Sequence, residues 1–194
     1  MEIYANWHTW PQAEPELRRL LPAGTCDAVG KAVEFAIRYH GDQRRPTGAP
    51  YLEHLLEALE VLVRGARVTD PDVLSAAVLH DVVEDTPCTV ADLRREFGDR
   101  VAGLVGWVTI PESDGDGKAV KEAYLAGLRH APDDAIVVKL ADRASNVQTL
   151  RNLSPARQRE YYAQTVRYIM PLAASRTWFA TWYASWQQEH RDLA

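Results

Sequence analysis

The sequence predicts an all-α, single-domain protein, on three observations. In segment after segment the apolar residues recur at the three- and four-residue spacing that lines one face of a helix. No stretch alternates apolar and polar residues as a half-buried strand does, and there is no internal repeat or low-complexity run. At 194 residues and 46% hydrophobic content, the chain fits one domain with a sizeable core.

Taken in order, residues 1–24 hold Trp7, Trp10, Pro11, Pro15, Pro22 and Gly24. They are expected to form an irregular arm, with one helical turn near 16–21, folded against a body of residues 25–194. From Cys26 to His40, Val29, Ala32, Val33, Ala36 and Ile37 follow helical spacing, with Thr25 as N-cap. His40 falls on that apolar face as a structural histidine. Residues 41–49 form a polar turn rich in Arg, Pro and Gly. A second helix runs from about Pro50 to Arg64 and stops at Gly65. The third opens with Asp70 as N-cap and Pro71 at the first helical position, and ends before Pro87. The fourth opens at Thr89-Val90-Ala91-Asp92 and reaches about Thr109. Residues 111–117, with two glycines and three acids, are expected to be a mobile loop. Helices follow at about 118–130, 133–151 and 155–189, the last broken near Pro171.

The bulk numbers exclude several classes. No apolar run approaches the ~20 residues of a membrane span, and the N-terminus lacks the basic and apolar regions of a signal peptide. Cys26 and Cys88 have neither metal nor disulfide spacing, which suits a reducing cytoplasm. A formal charge of −5 argues against a nucleic-acid polymer as partner, yet leaves room for a small phosphorylated ligand in a locally basic pocket.

The richest stretch is Ala77-Val78-Leu79-His80-Asp81-Val82-Val83-Glu84-Asp85-Thr86. On a helix it stacks Glu84 above His80 and Asp85 above Asp81. Four polar side chains on a helix that otherwise reads as core are expensive to bury, and a bound metal ion would offset that. His54 and Asp142 stand in similarly apolar surroundings, so the order is His, His-Asp, Asp. Each has a plainer reading: a packed histidine for His54, a helix ion-pair cluster with Lys139 and Arg143 for Asp142, a turn residue before Thr86-Pro87 for Asp85.

That order resembles the HD-domain metal-dependent phosphohydrolases. His40-Gly41-Asp42-Gln43-Arg44-Arg45 and Gly48-Ala49-Pro50-Tyr51-Leu52-Glu53-His54 are similar to the start of the hydrolase domain of RelA/SpoT-type alarmone enzymes. Leu79 to Thr86 and Val138-Lys139-Leu140-Ala141-Asp142-Arg143-Ala144-Ser145-Asn146 are similar to its next two motifs. The resemblance covers about residues 25–175 and implies an HD-type helical bundle. It implies that His54, His80, Asp81 and Asp142 hold one ion, usually manganese, while Glu84 and Asp85 handle the attacking water and its proton. Arg44 and Arg45 would meet the substrate, with Lys139, Asn146 and Tyr161 as further pocket residues. The implied reaction removes the 3′-pyrophosphate of ppGpp or pppGpp, giving GDP or GTP. The length matches the small, hydrolase-only class, as in metazoan SpoT homologues.

The departures from the family pattern touch substrate recognition and spare the ligands. Pro46 stands where a Lys usually follows the Arg pair, Leu55 where a Pro often follows the histidine, and the connection from Asn146 to Tyr161 is short. Two alternatives therefore stand beside the alarmone reading. One is an HD enzyme on another nucleotide, a 5′-nucleotidase or NADPH phosphatase, releasing inorganic phosphate. The other is a non-catalytic metal- and nucleotide-binding sensor, against which the Glu84-Asp85 pair speaks. Finally, Trp178, Trp182 and Trp186 recur every four residues with Phe179 and Tyr183 between them. This stripe either packs onto the domain over Trp7 and Trp10 or forms a homodimer interface.

Overall fold

The helical periodicity is realised as α1 (Trp10–Leu20), α2 (Ala23–His40), α3 (Tyr51–Glu60), α4 (Pro71–Leu79), α5 (Val82–Asp85), α6 (Val90–Val108), α7 (Gly117–Gly127), α8 (Asp133–Gln148), α9 (Pro155–Gln164), α10 (Met170–Ala173) and α11 (Thr177–Glu189). The structure, a computed structural model, describes residues 1–112 and 116–194, and these contain no strand. Every residue of α4 from Val73 to Leu79 is buried. A helix apolar on nearly all sides has to be enclosed, and α2, α3, α6 and α8 enclose it. No helix among the described residues is long and apolar enough to cross a membrane.

Helix ends follow local chemistry where a cap is present. Asp70 accepts hydrogen bonds from the Asp72 and Val73 amides at the start of α4. Thr89 and Asp92 form a reciprocal capping box at the start of α6. Elsewhere the structure departs from the sequence reading. α2 starts at Ala23 behind Pro22, so Thr25 is not its cap but a buried side chain donating to the Thr69 carbonyl at 3.4 Å. Ile37, expected on the apolar face, is 45% exposed. The third helix does not run through to Pro87. It ends at Leu79, and His80-Asp81 form a turn before α5. α6 is interrupted at Gly98, whose φ of 84° suits a residue without a Cβ. Pro171 sits in the first turn of α10, where a missing N–H does no harm; the break falls later, at extended Arg176. In the loop expected at 111–117, residues 113–115 lie outside the described residues.

The N-terminal residues are tied down by side chains distant in sequence. α1 spans three turns rather than one, opening on a Thr9–Gln12 capping box. Tyr4 pairs with the Gln148 amide, its N–H donating to Oε1 (2.8 Å) and its carbonyl accepting from Nε2 (2.9 Å). The fully buried Glu60 accepts from the Asn6 N–H (2.8 Å), Asn6 Nδ2 (2.7 Å) and Arg64 (2.6 Å).

Of the aromatic stripe of α11, Phe179, Trp182, Tyr183 and Trp186 are buried within the chain and Trp178 is half-buried. Tyr183 and Trp186 are fully buried and donate to the Leu140 and Val147 carbonyls of α8 at 2.7 and 3.0 Å. Trp182 donates to the Glu2 carbonyl (2.8 Å), and Trp178 meets Tyr4 edge-on at 5.6 Å. The covering residues are thus Glu2 and Tyr4, not Trp7 and Trp10. After α3 the chain makes one π-helical turn, Val61–Gly65, which lays Gly65 against the Trp178 ring. A Cβ there would overlap the indole. Gly65→Ala is expected to destabilise by about 1–3 kcal/mol through overpacking, read as a lower urea midpoint at unchanged slope.

Candidate metal centre and pocket

His54 comes from the first turn of α3, Asp142 from the middle of α8, and His80 and Asp81 from the turn between α4 and α5. Neighbours on a continuous helix point about 100° apart. Here the regular helix ends at Leu79 and His80-Asp81 form a turn (Asp81 φ −100°, ψ −5°), and the two adjacent side chains converge. His80 Nε2 lies 3.1 Å from Asp81 Oδ2, and His54 Nε2 lies 3.3 Å from the same oxygen. The two Nε2 atoms are 3.0 Å apart, and Asp142 Oδ1 is 3.5 and 3.4 Å from them. His54, His80 and Asp142 are buried, and Asp81 half-buried.

The outer nitrogens decide what this cluster can hold. His80 Nδ1 donates to the Ala77 carbonyl at 2.8 Å. His54 Nδ1 is 2.8 Å from Ser145 Oγ, which itself donates to Glu57 (2.5 Å) and so accepts from the ring. When neutral, each ring therefore turns an unprotonated Nε2 towards the other and towards two carboxylate oxygens. Four converging lone pairs repel one another unless a cation sits among them, and two imidazoles with two carboxylates suit a divalent metal. A proton competes for the same electron pairs. Burial pushes both imidazoles down, but Asp81 and Asp142 more than offset it and raise them above 6.5. Burial likewise opposes charge on both carboxylates. His80 and His54 hold Asp81 well below its usual range, and Lys139 and His80 do the same for Asp142.

Beside the cluster opens a cavity of about 430 Å³. His54, Asp81, Asp142, Glu84, Asp85, Arg45, Lys139, Asn146 and Tyr161 all line it, whereas the buried His80 does not. Arg44 is the exception and corrects the sequence expectation. Its exposed guanidinium donates to the Gly48 carbonyl (2.8 Å), closing its own loop. Lys139 is committed to Asp142 Oδ2 at 2.8 Å, and Asn146 Nδ2 to Asp142 Oδ1 at 2.6 Å. The ion-pair reading of Asp142 and its place in the cluster thus coexist, one oxygen to each.

Glu84 opens on the pocket, with Oε2 accepting from the Ile110 N–H at 2.9 Å. Partial desolvation moves its carboxyl above the ordinary 4.5, with Asp81 and Asp85 adding to the rise and the Ile110 N–H and Lys139 opposing it. Tyr51, which the sequence reading did not single out, has its hydroxyl 2.5 Å from Asp81 Oδ2 and 2.6 Å from Asp85 Oδ2. Its ring stacks on His40 at 4.7 Å, and its position one turn before His54 was the only available signal. Lys121, Arg143 and Arg157 complete the wall. Arg143 lies 5.0 Å from the Tyr161 ring centre, with its buried NH1 unpaired among the described residues. Arg143 could have been suspected from its place beside Asp142. Lys121 and Arg157 carry no local signal at all.

The HD domain family pattern matches residues 32–177. A probable GTP pyrophosphokinase of Mycobacterium leprae is 35% identical over 162 residues, covering 80% of this chain and 20% of the relative. The chain thus spans about a fifth of the length of the long relatives it matches. The human guanosine-3′,5′-bis(diphosphate) 3′-pyrophosphohydrolase MESH1 is 36% identical over 140 residues, 69% of this chain and 75% of that protein. A solved structure of a metazoan ortholog of SpoT, described as hydrolysing ppGpp, superposes with a TM-score of 0.78 at 27% identity, covering 86% of this chain and 97% of that one.

Proposed function

The chain belongs to the HD domain family, and from that premise we propose that it is a metal-dependent phosphohydrolase removing the 3′-pyrophosphate of ppGpp or pppGpp, to leave GDP or GTP and pyrophosphate. The observation that carries this reading is the placement of Glu84 and Asp85 on the same pocket as the His-Asp cluster, under a wall of three cationic side chains. His54, His80, Asp81 and Asp142 would hold a divalent cation, manganese by the family resemblance, and when bound it would offset charge at the phosphate and lower the pKa of water. Glu84 orients the attacking water and takes its proton as oxygen bonds to phosphorus. Asp85, held by the Tyr51 hydroxyl, passes the proton that Glu84 has taken on to the 3′-oxygen as its bond to phosphorus breaks. Lys121, Arg143 and Arg157 neutralise the remaining phosphates. The unpaired NH1 of Arg143 suits an anionic oxygen. Arg45 and Tyr161 offer the guanidinium and ring for a base. A guanine nucleotide substrate and two buried free cysteines fit a reducing cytoplasm.

The test is product analysis. Mn²⁺-loaded protein incubated with ppGpp is expected to give GDP and pyrophosphate, and a chelated sample neither. Intact ppGpp would sink the substrate assignment. A second reading, hydrolysis of another phosphorylated nucleotide, is favoured by one observation: Pro46 lines the pocket where relatives usually place a Lys. Inorganic phosphate as the product, from a nucleotide panel including NADPH, would select it.

A further inference from the structure

Behind His54, hydrogen bonds run from the pocket wall to the metal cluster through two side chains that the chemistry does not touch. Arg45 NH1 reaches both Glu57 oxygens at 3.0 Å. Ser145 Oγ donates to Glu57 Oε2 at 2.5 Å and lies 2.8 Å from His54 Nδ1. Glu57, Ser145 and His54 are buried, so no water substitutes for a missing partner without reopening the core. His54 and Glu57 sit three residues apart on one face of α3, and Ser145 lies three residues after Asp142 on α8. The chain therefore crosses between the two helices that each carry a cluster residue.

On the metal-hydrolase reading above, we infer that Glu57 and Ser145 are positioning residues that couple the pocket's Arg45 to the His54 tautomer a cation needs. The direction of the bonds carries this. A carboxylate only accepts, so the single Ser145 proton goes to Glu57, and Ser145 can only accept from the ring. Nδ1 is then the protonated nitrogen, and Nε2 faces the cluster bare. The same carboxylate engages Arg45 through NH1 alone, which leaves Nε and NH2 for a ligand in the pocket. Glu57 thus orients a substrate contact and a metal ligand together.

The two links can be cut separately. Ser145→Ala removes one oxygen and frees the tautomer. Mn²⁺ affinity, read by titration calorimetry, is expected to fall about 10–100-fold, with KM for the nucleotide unchanged. Glu57→Gln goes further: Arg45 claims the amide oxygen, the amide NH2 donates to Ser145, and Ser145 donates to Nδ1. That places the ring proton on Nε2, so Mn²⁺ binding is expected to weaken more than in Ser145→Ala, and KM to rise as Arg45 loses its charged anchor. Wild-type binding with unchanged Mn²⁺ affinity in both variants overturns the coupling and leaves the metal reading standing. A wild type that binds no Mn²⁺ overturns both. Should Glu57→Gln fail to fold, as judged by circular dichroism, the smaller Ser145→Ala change decides alone.

Discussion

Glu84→Gln is expected to lower kcat by about 10²–10⁴-fold while leaving Mn²⁺ affinity intact. Among the described residues Glu84 makes no contact within the His-Asp cluster, and its carboxylate faces the pocket and accepts only from the Ile110 N–H. The amide keeps that hydrogen bond and the shape, and loses only the ability to take a proton. The pH dependence has a fixed sign. The carboxylate is the active form, so kcat is expected to fall as pH drops through the Glu84 pKa, which partial desolvation raises above 4.5 in the metal-free protein. The same shift acts on stability in the opposite sense. A group that binds its proton more tightly when folded favours the fold at low pH, and that contribution disappears as pH rises from 4.5 through the raised value. Glu84→Gln should therefore be at least as stable as wild type at pH 7, with only a small gain because the side chain opens on solvent. A clear loss of stability, or a full-rate enzyme, would refute this account of Glu84.

Asp142→Ala is expected to abolish Mn²⁺ binding and to destabilise the metal-free fold by about 3–5 kcal/mol, the usual consequence of removing one partner from a buried pair. Both oxygens are in use: Oδ1 faces the two imidazoles and Oδ2 holds Lys139. Lys139 is buried; burial pushes its pKa down, and Asp142 more than offsets that. Without the carboxylate, a buried ammonium is left with the Tyr124 ring, 5.3 Å away, and the more distant Glu84 carboxylate as weaker favourable neighbours. Urea unfolding of metal-free protein measures this, with Asp142→Asn as the isosteric comparison. An unchanged midpoint would mean that Lys139 finds another partner.

The homologous core and its polar inserts are legible in the sequence because both are local. Helical spacing of Val, Leu and Ala is a statement about neighbours three and four residues apart, and it needs no knowledge of the partner helix. His54, His80, Asp81 and Asp142 stand out for the same reason, as ligand-type residues in apolar surroundings. The break at His80-Asp81 is invisible at that level. A continuous helix satisfies the periodicity equally well, so nothing in the spacing marks the turn after Leu79.

Long-range pairing is where sequence reading stops. Tyr4 with Gln148, Asn6 with Glu60 and Trp182 with Glu2 join residues 54 to 180 positions apart, and no spacing rule reaches that far. Arg44 and Arg45 are indistinguishable neighbours until the loop bridge between Arg44 and Pro50 turns one outward and the other to Glu57. Lys121 and Arg157 sit on separate helices and acquire a common purpose only through the packing of α7 and α9 around the pocket. Helix formation, apolar faces and ligand types therefore follow from the chain's own local chemistry. Side-chain directions, shared hydrogen bonds and the charge around the cavity arise when distant segments meet, because each depends on an atom supplied from elsewhere in the chain.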